Sequence, residues 1–194
     1  VDQMGRTSFT IPYIDGKVSI SRTARTFPAY LIFKPAMLIT AILLIKYWIS
    51  TNKLIQTINN DFSENKYFLY FGIGSAIFLI IHSLLLGVNF EINLYKFFRR
   101  FVLLAFIIFE IVAQAMLIKH IMKIKNKVIE IINKKILIAK IFMVSVLIIV
   151  GIASLPILSS DGYVHFKHAL EWNYFLGVII FYLFTFLFWK KSNK

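Results

Sequence analysis

Glu110 is the side chain of this sequence that costs the most free energy to place in a membrane. It lies in the apolar run FVLLAFIIFEIVAQAMLI. A carboxylate at mid-membrane costs about 3 kcal/mol or more, so protonation or a hydrogen-bonding partner must relieve it. Gln114 follows one helical turn later, on the same face. The pair fits either a proton-linked or substrate-binding carboxyl inside a bundle, or a neutral acid whose hydrogen bonds hold helices together. We favour the second interpretation.

A second group of reactive side chains precedes the last apolar run of the chain. His168 lies three residues before Glu171, so on a helix their imidazole and carboxylate can pair as a general acid and base. His165, His168 and Asp161 are the alternative, as ligands of a metal ion. Neither spacing is an established signature in this setting. We favour solvated histidines, with Trp172 as an anchor at the membrane interface.

The composition indicates which class of protein carries these side chains. The chain has 194 residues, of which 59% are hydrophobic and 16% charged, and its mean hydropathy is +0.75. Soluble domains are about 45–50% apolar even with glycine counted, so a water-soluble globule is excluded. The chain has no cysteine, which excludes disulfides, zinc–thiolate sites and cysteine nucleophiles. Nucleotide-binding and hydrolase motifs are also missing, so we expect no cofactor and lean against an enzyme.

Hydropathy predicts an all-α fold, a polytopic bundle of transmembrane helices. A spanning helix needs about 20 mostly apolar residues. The bundle is expected to fill residues 29–189, after an N-terminal loop at 1–28 and before a short tail at 190–194. Five stretches have the required length and composition, namely residues 29–50, 67–88, 101–118, 136–157 and 172–189.

The positive charges predict the orientation of this bundle. The net charge is +13, but lysine and arginine flank the apolar runs, so we expect no nucleic-acid partner. Thirteen of the 22 basic residues fall on the side of the dense cluster Lys119–Lys135. That side is predicted to be cytoplasmic, so residues 1–28 are expected outside and residues 190–194 in the cytoplasm. The expected location is a cell or inner membrane, or an endomembrane if the protein is eukaryotic. We expect membrane lipids as partners, with Lys119–Lys135 either attracting anionic lipid or serving as an ordinary topology signal.

Short motifs along the chain are similar to those of one known family. The stretch ISRTARTFPAYLIF contains Ser21, Thr23 and Pro28, and a Glu-Trp pair ending at Trp172 precedes the aromatic last helix. These motifs resemble the I-S-[DE]-T-G…P…I-F signature and the last loop of the Frag/DRAM/Sfk family, the damage-regulated autophagy modulators and their relatives. Arg22 and Ala24 depart from the acidic residue and the glycine of that signature.

The resemblance implies more than the residues alone do. The family has six helices and its signature lies in the outer loop after the first, so we expect a further helix upstream of Val1. The implied function is a non-enzymatic role in membrane lipid organisation or trafficking. Two alternatives stay open: a membrane-embedded lipid-modifying enzyme using His168 and Glu171 at the outer interface, or a proton-coupled carrier using Glu110.

Overall fold

The computed structural model describes residues 9–24, 27–58, 66–86, 93–124, 131–160 and 162–189, apart from seven side chains within them. Within these residues the secondary structure is entirely helical, except for one isolated antiparallel bridge between Ile132 and Trp189. The helices are α1 Pro12–Asp15, α2 Ile20–Thr23, α3 Ala29–Ile58, α4 Tyr67–Leu85, α5 Asn93–Lys123, α6 Lys134–Ser159 and α7 Val164–Phe188.

The five long helices α3 to α7 are each apolar enough and long enough to cross a membrane. Each packs against the next along the chain, and α4 lies between α3 and α5. The predicted fold class, an all-α bundle with five spans, is confirmed. Large apolar side chains cover the outside of the bundle: Ile32 is 76% exposed and Phe186 is 85% exposed, whereas Trp48 and Phe181 are fully buried. The outer surface therefore suits a hydrocarbon solvent.

Three helices extend well beyond the apolar runs that mark their spans, and α5 does so at both ends. The third span was expected at 101–118, but α5 covers Asn93–Lys123. The first and last spans were expected at 29–50 and 172–189, but α3 continues to Ile58 and α7 begins at Val164. Hydropathy marks only the segment that lies in hydrocarbon. A helix continues into its charged flanks because its backbone hydrogen bonds do not depend on apolar side chains.

Two ends of the bundle have different characters. Short connections make consecutive spanning helices antiparallel, so α3, α5 and α7 begin at one end and finish at the other. We call the first the cap end, because α1 and α2 pack there on α7. We call the second the basic end, because it carries four exposed lysines on α5 and α6, namely Lys119, Lys123, Lys134 and Lys135.

Candidate functional site

Glu110 lies at the centre of the membrane-spanning part of α5. The span Phe97–Lys123 extends 13 residues to either side of it, and its side chain is fully buried. A carboxyl at this depth has no water to solvate it, so the protein itself must supply its hydrogen-bond partners.

Three helices supply those partners. Ser75 Oγ on α4 lies 2.7 Å from Glu110 Oε2, and Gln114 Nε2 on α5 donates to Oε1 over 2.8 Å. The hydroxyl of Tyr182 on α7 donates to the same Oε1 in a short hydrogen bond. The structure therefore brings together Glu110 and Gln114, the two residues singled out by spacing. It adds Ser75 and Tyr182, which the sequence analysis missed.

The hydrogen bonds around Glu110 fit a protonated carboxyl. Ser75 Oγ lies between two acceptors, Glu110 Oε2 and the Gly72 carbonyl at 2.8 Å, but its hydroxyl has one proton. If Oε2 carries a proton, it donates to Ser75 Oγ, which donates to the Gly72 carbonyl. Oε1 then accepts from Tyr182 and Gln114, so both carboxyl oxygens are satisfied without any cation. We call these four side chains, Glu110, Ser75, Gln114 and Tyr182, the acid cluster.

Close packing of α3 on α4 supports the acid cluster. Gly72 faces the indole ring of Trp48 so closely that an added Cβ would lie 2.3 Å from Trp48 Cδ2. Trp48 is fully buried, so the ring has little room to withdraw. Gly72 therefore permits the approach of the two helices and offers its carbonyl to Ser75.

A cavity of about 300 Å³ opens at the basic end between α3, α5, α6 and α7. Most of its lining is apolar, as with Leu117 and Ile121 on α5 and Phe188 on α7. Tyr182 also lines it, so one side chain joins the acid cluster to the cavity. A concave, mostly apolar site with a few polar groups is the usual form of a small-ligand site.

Among the described residues, Lys140 is the charged group in the lining of this cavity. It is only 2% exposed, and its Nζ donates to Thr185 Oγ1 over 2.6 Å. The same Nζ lies 4.0 Å from the ring centroid of Phe181 and 5.2 Å from that of Phe188, within the range of cation–π attraction. In the sequence, Lys140 is one of the thirteen basic residues on the predicted cytoplasmic side and belongs to no motif. Its place five residues into the predicted span 136–157 was the signal that could have revealed it.

At the cap end, His165 and His168 hold the N-terminal segment on α7. Their Nδ1 atoms lie 3.3 Å and 3.0 Å from the carbonyl of Gly16, and since a carbonyl only accepts, both Nδ1 atoms carry the proton. Trp172 Nε1 donates to the Val18 carbonyl over 3.0 Å. Gly16 has φ +57°, and a Cβ there would lie 1.7 Å from the His165 carbonyl oxygen. Both imidazoles therefore have a structural role, which is to hold the N-terminal segment against α7.

The turn before Gly16 is fixed by Asp15. Partial desolvation raises the pKa of its carboxyl, but hydrogen bonds from the backbone of Lys17, the hydroxyl of Thr10 and the backbone of Ile11 lower it more, and the pKa lies below its usual value. The carboxylate therefore accepts three hydrogen bonds and closes the turn that presents Gly16 to α7.

The remaining predicted site residues lie around this cap. Thr23 Oγ1 donates to the Ser19 carbonyl over 3.1 Å, and Pro28 follows a cis peptide bond just before α3. The backbone of Ser21 belongs to α2, and its side chain lies outside the described residues, as does Asp161. Among the described residues no group of three His, Asp or Glu side chains could hold a metal ion.

By its fold and composition the chain is an integral membrane protein. No family model matches its sequence, and no curated protein or solved structure matches it either.

Proposed function

We infer that this integral membrane protein has a non-enzymatic role in membrane lipid organisation, which it performs by holding an amphiphilic lipid in the cavity at the basic end. The cavity itself is the observation that carries this proposal. It combines an apolar lining with one buried lysine and lies where α3, α5 and α7 end. A lipid offers the same combination, an apolar chain with a polar group at one end.

The position of the cavity supports the same proposal. Its lining residues lie near the end that carries four exposed lysines, and such a basic surface attracts anionic lipid from the inner leaflet. The orientation with this end in the cytoplasm and the cap outside rests on the positive-inside bias. The Frag/DRAM/Sfk resemblance stays a prediction that implies a lipid role of this kind.

The two alternative functions have less support from the contacts around their residues. An enzyme at the outer interface needs His168 as an acid or base, but His168 Nδ1 is directed at the Gly16 carbonyl. A proton-coupled carrier needs Glu110 to release its proton, but the acid cluster gives both carboxyl oxygens a partner. Both groups hold the bundle together in these contacts.

Lipid retention on purification tests the proposal. We expect mass spectrometry of the detergent-purified protein to find one enriched lipid class per chain. Ile121 lines the cavity and is 6% exposed, so Ile121→Trp fills the site and should abolish the enrichment. Ile108 lies on the same helix but is 48% exposed, so Ile108→Trp is the matched control and should retain the lipid.

The proposal fails if the bound lipid has the composition of the bulk membrane, or if Ile121→Trp retains as much as the control. A change with time in the lipids of reconstituted vesicles, abolished by His168→Ala and by Glu171→Ala, would favour the enzyme instead.

A further inference from the structure

The ammonium of Lys140 has more hydrogen-bonding capacity than the protein uses. An ammonium has three N–H donors, and among the described residues its one hydrogen-bond acceptor is Thr185 Oγ1. The other neighbours of Nζ are the faces of two phenyl rings, those of Phe181 and Phe188. No carboxylate of the described chain lies against it. Within the part of the chain that the structure describes, the cation therefore has no counter-ion.

A buried charge without a counter-ion is costly, and the cost falls when an anion with good hydrogen-bonding geometry is supplied. Lys140 lines the cavity, so an anion in the cavity can reach the remaining N–H donors. The cavity is otherwise mainly aliphatic and aromatic, and an inorganic anion would be poorly solvated there. The missing counter-ion must therefore come with an apolar body.

We propose that the cavity binds a single-chain acidic amphiphile, such as a fatty acid or a lysophosphatidic acid, with its acidic headgroup on the free N–H donors of Lys140 and its acyl chain against the aliphatic wall. This inference rests on the proposed lipid-binding function and specifies the ligand class of that site.

The size of the cavity favours one chain. Ligand pockets range from about 300 to 1,000 Å³, and at about 300 Å³ this cavity is among the smallest. A cavity of this size has room for part of one acyl chain. A second chain of a phospholipid would have to stay outside.

The depth of Lys140 suits an acidic headgroup. Lys140 lies six residues after Lys134, the first residue of α6, which is about 9 Å at the rise of an α-helix. The headgroup would therefore lie just inside the interface while the chain extends along the cavity. The exposed lysines of the same end, Lys134 and Lys135 among them, favour approach of an anion from the membrane surface.

A comparison of ligands with one chain and different headgroups tests the proposal. Binding of palmitate, palmitoyl lysophosphatidate and hexadecanol to the full chain is measured in detergent micelles. We expect at least one acid to bind about tenfold or more tightly than hexadecanol, a difference that a single charge-assisted hydrogen bond supplies. The ratio of the two acids distinguishes a carboxylate from a phosphate headgroup.

Substitution of Lys140 tests whether this lysine causes the preference for acids over hexadecanol. Lys140→Met keeps the length of the side chain and should reduce the acid preference to about twofold or less, while hexadecanol binds as before. Lys140→Arg should keep most of the preference. The control is Lys17→Met, an exposed lysine at the cap end, which should leave the preference unchanged.

Fluorescence quenching tests the site without a lysine variant and can be used if Lys140→Met does not fold. Trp189 lines the cavity, so palmitate brominated on its chain should quench its fluorescence, and Trp189→Phe should remove that quenching. Equal affinities for acid and alcohol in the wild type, or an unchanged preference in Lys140→Met, overturn the inference.

These outcomes separate the inference from the proposed function. If the cavity retains a neutral lipid that Ile121→Trp displaces, the lipid-binding function stands and the acidic headgroup is wrong. If no probe quenches Trp189 and no lipid is retained, both fail.

Discussion

Two buried polar side chains of this bundle, Glu110 and Lys140, differ in how completely the protein satisfies them. Both are almost inaccessible, at 0% and 2% exposure. Glu110 has hydrogen-bond partners on three helices and needs no other group. Lys140 has one hydroxyl and two phenyl faces beside an empty volume. The difference shows that burial alone does not leave a polar group short of partners. An incomplete set of partners beside a cavity is the feature on which the proposed binding site rests.

Tyr182 connects the two regions. Its hydroxyl donates to Glu110 and its side chain lines the cavity. It lies three residues before Thr185, the partner of Lys140, and therefore on the same face of α7. The acid cluster thus holds α7 in place, and with it one wall of the cavity.

The largest effect is expected from removing the carboxyl of the acid cluster. Glu110→Ala removes the carboxyl partner of Gln114 and Tyr182, while Ser75 keeps the Gly72 carbonyl. Unsatisfied buried groups cost about 1–3 kcal/mol each. We expect a loss of about 2–4 kcal/mol in the free energy of unfolding in detergent, since part of the cost is relieved by relaxation. Glu110→Gln keeps a neutral acceptor of the same shape and should cost less than about 1 kcal/mol.

That pair of variants also tests the carrier hypothesis. A folded Glu110→Gln protein that has lost an ion-coupled transport activity would show that Glu110 works by releasing its proton. Two variants of equal stability would contradict the structural role that we assign to the acid cluster.

Gly72→Ala is expected to have the next largest effect. Its added Cβ would lie 2.3 Å from a buried indole ring, and overpacking a close-packed interior costs about 1–3 kcal/mol. The loss is measured by unfolding in detergent. The control is Ala153→Val on α6, which is exposed on the outside of the bundle and should be nearly neutral. A neutral Gly72→Ala would mean that α3 and α4 are not so closely packed.

Removing the hydroxyl of the shared tyrosine should have a smaller effect. Tyr182→Phe loses one hydrogen bond to a carboxyl and keeps the ring, so the cost is about 1–2 kcal/mol. Because the ring still lines the cavity, lipid retention should be close to that of the wild type. A loss of retention with unchanged stability would show that the hydroxyl contacts the ligand and would weaken the separation of the two regions.

The smallest change in stability is expected for Lys140→Met. Replacing an uncompensated buried charge by an apolar side chain of similar length is often neutral or stabilising. We therefore expect the free energy of unfolding without ligand to lie within about 1 kcal/mol of the wild-type value. A loss as large as that of Glu110→Ala would show that Lys140 is part of the structural core.

Much of the fold follows from the sequence because hydrocarbon imposes a simple rule. Long apolar runs must be helices, so five spans and the turn-to-turn pairing of Glu110 with Gln114 are predictable from spacing alone. The partners on other helices are not. Ser75 and Tyr182 lie 35 and 72 residues from Glu110, and their contact depends on how each helix is rotated in the bundle, which no local pattern states.

Packing of the outer loops 1–28 and 158–171 against each other is predictable, but the contacts of the two histidines there and the cavity were missed for related reasons. The spacing of His168 to Glu171 suggested an acid–base pair. In the structure, His165 and His168 instead contact a carbonyl about 150 residues earlier in the chain, which no local spacing predicts. Lys140 resembles every other lysine near a helix end until the packing shows that it faces inward.

The shift in unfolding temperature on adding palmitate tests the central contrast most directly, because a ligand stabilises only the protein that binds it. At about 100 times its Kd a ligand adds about 2.7 kcal/mol of stability. We predict equal shifts for the wild type and Glu110→Gln. Lys140→Met should show a shift about half as large, since a tenfold weaker Kd leaves about 1.4 kcal/mol of stabilisation at the same palmitate concentration. A full shift in Lys140→Met together with none in Glu110→Gln would contradict the account, since it would make the acid cluster the binding site and the lysine a structural group.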